Sequence, residues 1–407
     1  MKRTLRLLLS VTAALLALSS CKSGQDNYTV LISLDGSRWD YPEMYDMPFF
    51  DSLSTVGVRA RMQASFPSST FPNHYTMATG LVPDHHGLVN NSFWNPETQY
   101  MYSIRDSVAR FDRRYYLGEP IWQTAQRQGV RCGVIYWVGS DIDINGVYPT
   151  YWRNWNEQPH WSFEERCDEI VRLLSLPEEK RPRLVMGYFD EPDHQGHVHG
   201  PVSAETKEMA EHMDSLMHAL YLRLKALPGV GKKLNFILAG DHGMTEITPD
   251  RFIPWHGNVE EAWVERIVGH NPTSIWAKEG CTDSLYNSLS TLEHVSVWKK
   301  GEVPEEFCYG TSDRVGDLIV SPDLGWQFEF APSRNHGTHG FDPRETDMMV
   351  AFRAVGPNFK KRYNAPFTEG EQSAFRNIDL YPMLCKLLGI EPAPVDGRLE
   401  RIEKILR

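Results

Sequence analysis

Short apolar segments alternate with amphipathic ones along this chain, and several of the apolar segments stop abruptly at acidic residues. YTVLISL (28–34) runs into Asp35-Gly36, RLVMGYF from Arg183 runs into the acidic stretch that holds Asp193, and KLNFILAG from Lys233 runs into Asp241-His242. GVRCGVIYW from Gly129 and DMMVAFRAVG from Asp347 share the same form. Each reads as a buried strand. Residues 120–129, 205–227 and 377–390 carry helical periodicity, and 205–227 opens acidic and closes on Arg223 and Lys225, which suits its dipole. Such alternation predicts an α/β fold with a central, mainly parallel sheet flanked by helices on both faces. The 407 residues suffice for one large domain or two. No long linker is visible, so a single domain is expected over 28–395, with the aromatic-rich stretch 94–161 and the turn-rich stretch 254–330 as smaller insertions or caps.

The first twenty residues stand apart from that core. Lys2, Arg3 and Arg6 precede an apolar run, Leu7 to Leu18, which is short for a membrane span and leads through small residues to Cys21. The pattern looks like a bacterial lipoprotein signal (1–20) followed by a tether (21–27). The expected protein is exported and held on a membrane by a lipid on Cys21, facing the periplasm or cell surface. An ordinary cleaved signal peptide and a single membrane anchor are the alternatives. Cys132, Cys167, Cys281, Cys308 and Cys385 are widely and irregularly spaced, which excludes a dense disulfide framework while leaving one or two bridges open. A net charge of −11 without a long basic run excludes tight binding to a long nucleic acid. A small phosphorylated ligand is still allowed, because bound cations supply positive charge locally.

Ligands of open α/β sheets bind beyond the carboxyl ends of the strands. One aspartate there is ordinarily a turn or cap residue. Three strand ends bearing Asp35, Asp193 with His197, and Asp241 with His242 are hard to explain as capping. Asp and His without Cys suit Zn²⁺ or another divalent ion with open positions. NHGTHGFDP adds His336 and His339. His85, His86, His194, His199 and His336 are expected at the surface or behind the site. A hydroxyl is also at hand, since Ser68, Ser69 and Thr70 precede FPNHYTMATG, which reads as a short helix with Pro72 in its first turn. A hydroxyl there is either a plain N-cap or a group whose alkoxide is favoured by the dipole and the free N–H groups.

Eight segments in order, LDGSRWDY, FPSSTFPNHYTMATGLVPDHHGLVNN, GEPIWQTAQRQG, GSDIDINGVYP, FEER, EPDHQGH, AGDHGM and THGFDP, resemble the nucleotide pyrophosphatase/phosphodiesterase family of the alkaline phosphatase superfamily, over about 29–390. The resemblance implies an alkaline phosphatase-like sandwich with two Zn²⁺ per chain. One ion is implied at Asp193, His197 and His339, the other at Asp35, Asp241, His242 and the oxygen of Thr70, the nucleophile. Asn91 is implied to stabilise a phosphoryl oxygen and Phe71 to stack on a nucleotide base, with Trp152 or Tyr151 as the other wall. Trp137-Val138-Gly139-Ser140 departs from the family's Trp-Pro-Gly-Ser, and Trp152 is the expected counterpart of a stacking tyrosine. The cysteine-rich and nuclease-like modules of large animal members are not seen, so a minimal catalytic unit is expected.

The implied activity is a metal-dependent phosphodiesterase or nucleotide pyrophosphatase working through a phosphothreonine. A phosphodiesterase of lipid or choline-type head groups is the alternative. A phosphomonoesterase ranks lower, since Arg38 is the one basic residue in these motifs near a strand end and is expected to pair with an acid. A phosphomutase fits poorly with export, and an inactive binding protein fits poorly with a full set of implied ligands.

Overall fold

The computed structural model describes residues 27–367 and 372–407. The expected signal 1–20, Cys21 and the tether up to residue 26 lie outside the described residues. Nine strands form the main sheet: β1 (Tyr28–Leu34), β2 (Val58–Gln63), β3 (Cys132–Ile135), β4 (Tyr151–Arg153), β5 (Leu184–Phe189), β6 (Leu234–Ala239), β7 (Val350–Val355), β8 (Tyr363–Asn364) and β9 (Phe375–Arg376). Their spatial order is β8-β2-β7-β6-β1-β5-β3-β4, with β9 also paired to β2. β1 lies at the centre, parallel to β5 and β6 in registers that bring Leu34 beside Phe189 and Ser33 beside Ala239. Three strand ends therefore reach one edge together.

β7 alone runs against its neighbours β2 and β6. Its chain enters from the site edge, where Gly243 and Met244 donate to the carbonyls of Met348 and Asp347, so it can only run back. The mainly parallel sheet thus holds one reversed strand. The stretch 94–161 is woven into the sheet through β3 and β4. Residues 254–330 hold a separate four-stranded antiparallel sheet over its own small core, which includes Ile275, Leu285, Leu318 and Phe328.

The five strands read as buried are dry on both faces where helices cover them, as the near-continuous apolar runs require. Helices α1 (Thr70–Thr79), α2 (Ile121–Arg127), α3 (Asp193–His199), α4 (Ala204–Ala226) and α5 (Leu380–Leu388) include the three predicted from periodicity. Ser203 caps α4 by accepting from the Thr206 N–H at 3.1 Å. Among the described residues the five cysteines are free, with Cys132, Cys167 and Cys385 buried. Among the described residues no helix is long and apolar enough to cross a membrane.

Of the two places expected for His86, the surface is ruled out: it is fully buried. Its Nδ1 accepts the Leu88 N–H at 3.2 Å, so Nε2 carries the proton and faces Thr76 Oγ1 (2.9 Å) and the Pro72 carbonyl (3.1 Å). Burial pushes its pKa from 6.5 down to about 3. An unfolded chain protonates this imidazole near 6.5 while the folded one holds it neutral, so its contribution is complete above 6.5 and is lost as pH falls towards about 3. Stability is expected to drop by about 1.4 kcal/mol per pH unit in that window from this group. Urea midpoints at pH 7, 6 and 5 for the protein and for His86→Gln check it. Equal pH slopes in the two would refute it.

Candidate active site

Asp35 leaves the end of β1, and the turn after it needs a glycine. Gly36 has φ +65°, and a Cβ there would sit 2.8 Å from the Asp193 Cα. That close approach packs the β1 end against α3, and the Asp193 N–H donates to the Asp35 carbonyl at 3.1 Å. Asp193 and His197, one turn apart on α3, share a face and meet His339 from the loop after residue 338. His197 Nε2 is 3.5 Å and His339 Nε2 3.8 Å from the Asp193 carboxylate. Beyond β6, Asp241 and His242 meet Asp35, with His242 Nε2 3.1 Å from Asp241 and 3.4 Å from Asp35. Each trio offers ligand atoms within 4.8 Å of one another. The two trios adjoin, because the His242 and His339 rings stack at 3.7 Å.

All three imidazoles are set the same way. Nδ1 of His197, His242 and His339 lies 2.8, 2.8 and 2.9 Å from the carbonyls of Gly337, Gly243 and Ser68. A carbonyl only accepts, so Nδ1 carries the hydrogen and the Nε2 lone pair points inward, as metal-binding histidines are held. Burial and the neighbouring imidazoles of His242 and His197 push the His339 pKa down, which keeps it neutral.

The carboxylates are crowded. Asp35 Oδ1, Asp193 Oδ1 and Asp241 Oδ2 are buried without a hydrogen-bond partner. Burial, with Asp241 and Asp193 nearby, raises the Asp35 pKa. Burial acts on Asp241 in the same sense, but His242 and His74 pull it below the carboxylate range. Uncompensated buried charge costs several kcal/mol per ion in general. Orphaned carboxylate oxygens facing inward lone pairs fit divalent cations, and a nitrogen and oxygen set without sulfur fits zinc.

Two supporting residues escaped the sequence reading. Tyr188, on β5, donates from Oη to Asp35 Oδ2 at 2.6 Å. His74, on α1, has Nδ1 2.9 Å from the Thr70 carbonyl and 3.3 Å from Asp241, and Nε2 2.9 Å from Ser33 Oγ. Inside apolar-looking segments both resemble ordinary core residues, and only the strand pairing reveals what they face.

Of the three candidate hydroxyls, Ser68 Oγ is spent on the Phe341 carbonyl at 2.7 Å and Ser69 is the buried N-cap of α1. Thr70 Oγ1 lies 3.1 Å from His242 Nε2. Asn91 Oδ1 accepts the Phe71 N–H at 3.0 Å, which leaves its Nδ2 hydrogens as donors beside Thr70. Arg38 is buried, bonded to Asp40 and the Met244 carbonyl and 3.1 Å from Asp347. His194, His199 and His336 are exposed.

Tyr151 and Trp152 are not brought to this site. Tyr151 Oη donates to the Lys180 carbonyl at the opposite end of the sheet (2.8 Å), and Trp152 stacks on Tyr148 at 4.4 Å. Both sit within β4, which ends before the site edge. Trp155, just past that strand, takes the place expected of them. The Arg110 Cζ is 5.4 Å from the Phe71 ring and 5.2 Å from the Trp155 ring, and the Trp155 N–H donates to buried Asp141 at 3.0 Å. The rule that function lies past the strand end, applied to YWRNW, points to Trp155.

This geometry has known counterparts. A family profile described as type I phosphodiesterase/nucleotide pyrophosphatase matches residues 29–342. Human ectonucleotide pyrophosphatase/phosphodiesterase family member 1 is 32% identical over 93% of this chain and 42% of its own length, so the chain spans less than half of that relative. Human family member 5 is 32% identical over 98% of this chain and 83% of its own. The solved structure of murine member 5, an inactive threonine-to-alanine variant in complex with AMP, superimposes with a TM-score of 0.86 at 30% identity, covering 94% of this chain and 100% of that one.

Proposed function

The chain belongs to the type I phosphodiesterase/nucleotide pyrophosphatase family, and from that premise we propose that it hydrolyses phosphodiester or phosphoanhydride bonds of nucleotides, using two zinc ions and a phosphothreonine at Thr70. The observation that carries the reading is the Thr70 hydroxyl 3.1 Å from His242 Nε2, where two adjoining trios of carboxylate and imidazole converge. Asp193, His197 and His339 would hold one ion; Asp35, Asp241, His242 and the Thr70 oxygen would hold the other. Bound there, divalent cations lower the pKa of a hydroxyl and stabilise the charge on a departing oxygen.

The chain's own groups do the rest. Thr70, at the first position of α1, attacks phosphorus from the positive end of the helix as the bond to the leaving oxygen breaks. Asn91 Nδ2, oriented by the Phe71 N–H, donates to a non-bridging oxygen as charge gathers on it. Water then cleaves the threonine ester and restores the hydroxyl. Phe71 and Trp155 offer flat faces for the base of a nucleotide. The neighbour solved with AMP supports that assignment.

Diesters are favoured over monoesters by the state of Arg38. A monoester brings a further negative charge, and Arg38, the basic residue of the motif that follows the first strand, is already engaged by Asp40, Asp347 and a carbonyl. Head-group diesters are the second reading, since aromatic rings also hold quaternary ammonium. Export and a lipid on Cys21 belong to the same proposal and rest on the leader's sequence. The test compares bis-p-nitrophenyl phosphate with p-nitrophenyl phosphate. The expected kcat/KM is at least about tenfold higher for the diester, corresponding to about 1.4 kcal/mol. Preference for the monoester would overturn the proposal.

A further inference from the structure

The edge of the main sheet opposite the site gathers the starts of β1, β3, β5 and β6 and the exit of β7, since Tyr28 lies beside Leu234, Cys132 beside Leu184 and Val355 beside Phe236. Four loops meet there with the strings QGVR (128–131), EEKRPR (178–183), VGKK (230–233) and NFKKR (358–362), in which Lys and Arg outnumber Glu by nine to two. The whole chain carries −11, so its remainder is more acidic still. In sequence these cations are scattered; the sheet assembles them. Arg131, Lys180, Lys232, Lys361 and Arg362 are exposed. A cavity of 170 Å³ beside them is lined in part by Tyr28, Arg131, Arg181, Arg183, Lys233 and Glu178. Asn27, the first described residue, sits on this edge. Its Nδ2 donates to Asn358 Oδ1 at 2.6 Å, and its carbonyl accepts from Arg183 Nε at 3.4 Å. The Asn358 carbonyl in turn accepts the Arg407 N–H at 2.9 Å, which adds a further basic residue.

We propose that this basic edge docks on the anionic phosphates of the membrane that carries the protein, so that the catalytic edge faces away from that bilayer. The inference rests on the reading of Cys21 as a lipid anchor and narrows the substrate to soluble diesters over the head groups of the same membrane. Cys21 lies six positions before Asn27, a reach of at most about 20 Å. The seven residues of β1 put a comparable length, about 20 Å, between this edge and Asp35. The tether therefore keeps the basic edge, and not the site, close to the lipid. A tether alone leaves the tilt of the protein open. Charge closes it, because cations within a Debye length of an anionic surface are attracted while the acidic remainder is repelled. Long nucleic acid is the other anionic partner, but the exit of the chain towards Cys21 at this edge favours the membrane.

The test uses the full chain and a triple variant, Lys232→Glu, Lys361→Glu and Arg362→Glu, with vesicles of phosphatidylcholine alone and of an equal mixture with phosphatidylglycerol. The three positions are exposed and far from the site, so hydrolysis of bis-p-nitrophenyl phosphate should be unchanged and reports folding. The readout is the ratio of binding to mixed over neutral vesicles within each protein, which cancels the part owed to a lipid. The wild-type ratio is expected to be at least about tenfold at low salt and to fall in high salt, and the variant ratio to be about one. Amine-reactive labelling of wild type on mixed vesicles should protect Lys232 and Lys361 and leave Lys207, near the site end of α4, reactive. Equal ratios in the two proteins, protection of Lys207 instead, or tighter binding to duplex DNA than to the mixed vesicles would each overturn the docking face while the diesterase reading stands. Mass analysis of the N-terminal peptide decides the anchor separately. A Cys21 without lipid overturns that reading alone, and the vesicle ratio still decides the docking face.

Discussion

Replacing Thr70 by alanine is expected to lower kcat by about 10⁴–10⁶-fold, the scale on which loss of a covalent nucleophile acts elsewhere, while the two proposed zinc ions stay bound. The hydroxyl sits 3.1 Å from His242 Nε2, but it would be only one of several donors to an ion held there. Asp35, Asp241 and His242 converge without it, and the His242 ring is held by the Gly243 carbonyl, not by Thr70. Removing one Oγ also leaves α1 intact, because the N-cap is Ser69 and the Ser69 carbonyl still accepts from Asn73 at 3.1 Å. Single-turnover kinetics and elemental analysis of the same preparation measure both halves. Loss of a full equivalent of zinc would mean that Thr70 holds metal first and reacts second.

Asp35→Asn is expected to do two opposite things. In chelator-treated protein it should raise stability by about 1–3 kcal/mol, seen as an unfolding midpoint higher by a few degrees. In zinc-loaded protein it should remove one of two bound ions and cut activity by at least about 10²–10³-fold. The reason is the crowding of Asp35, Asp193 and Asp241 around partnerless oxygens. An amide of the same shape removes one of those charges and still accepts from Tyr188 Oη, which now lies 2.6 Å from Asp35 Oδ2. A metal-free variant less stable than its parent, or one that keeps two zinc ions, would contradict the account. The same carboxylate would thus weaken the metal-free fold and strengthen the metal-loaded one.

Much of this arrangement is legible in the chain because it is local. A buried strand announces itself by an apolar run, and the residue after it must leave the sheet, so Asp35, Asp241 and His242 are visible as strand-end groups. Asp193 and His197 are visible by helical spacing. β2 is harder to see, since VRARMQ carries two arginines on its half-buried face and lacks the apolar run of the other strands. The direction of β7 is also hidden, because a strand's residues carry no sign of which end its chain enters from.

The linear order of residues determined which ligand types exist, on which strands, and that cysteine is absent from the strand-end clusters. Those properties follow from backbone periodicity and side-chain chemistry within a few positions. Tertiary structure alone decided that Thr70 rather than Ser68 meets His242, that Trp155 rather than Trp152 or Tyr151 shares Arg110 with Phe71, and that the imidazoles of His197 and His339 present Nε2. Each of these depends on a carbonyl, ring or carboxylate contributed from elsewhere in the chain, in the case of Thr70 and His242 from 172 positions away. Such a partner is brought near only when the sheet assembles and its hydrophobic faces exclude water.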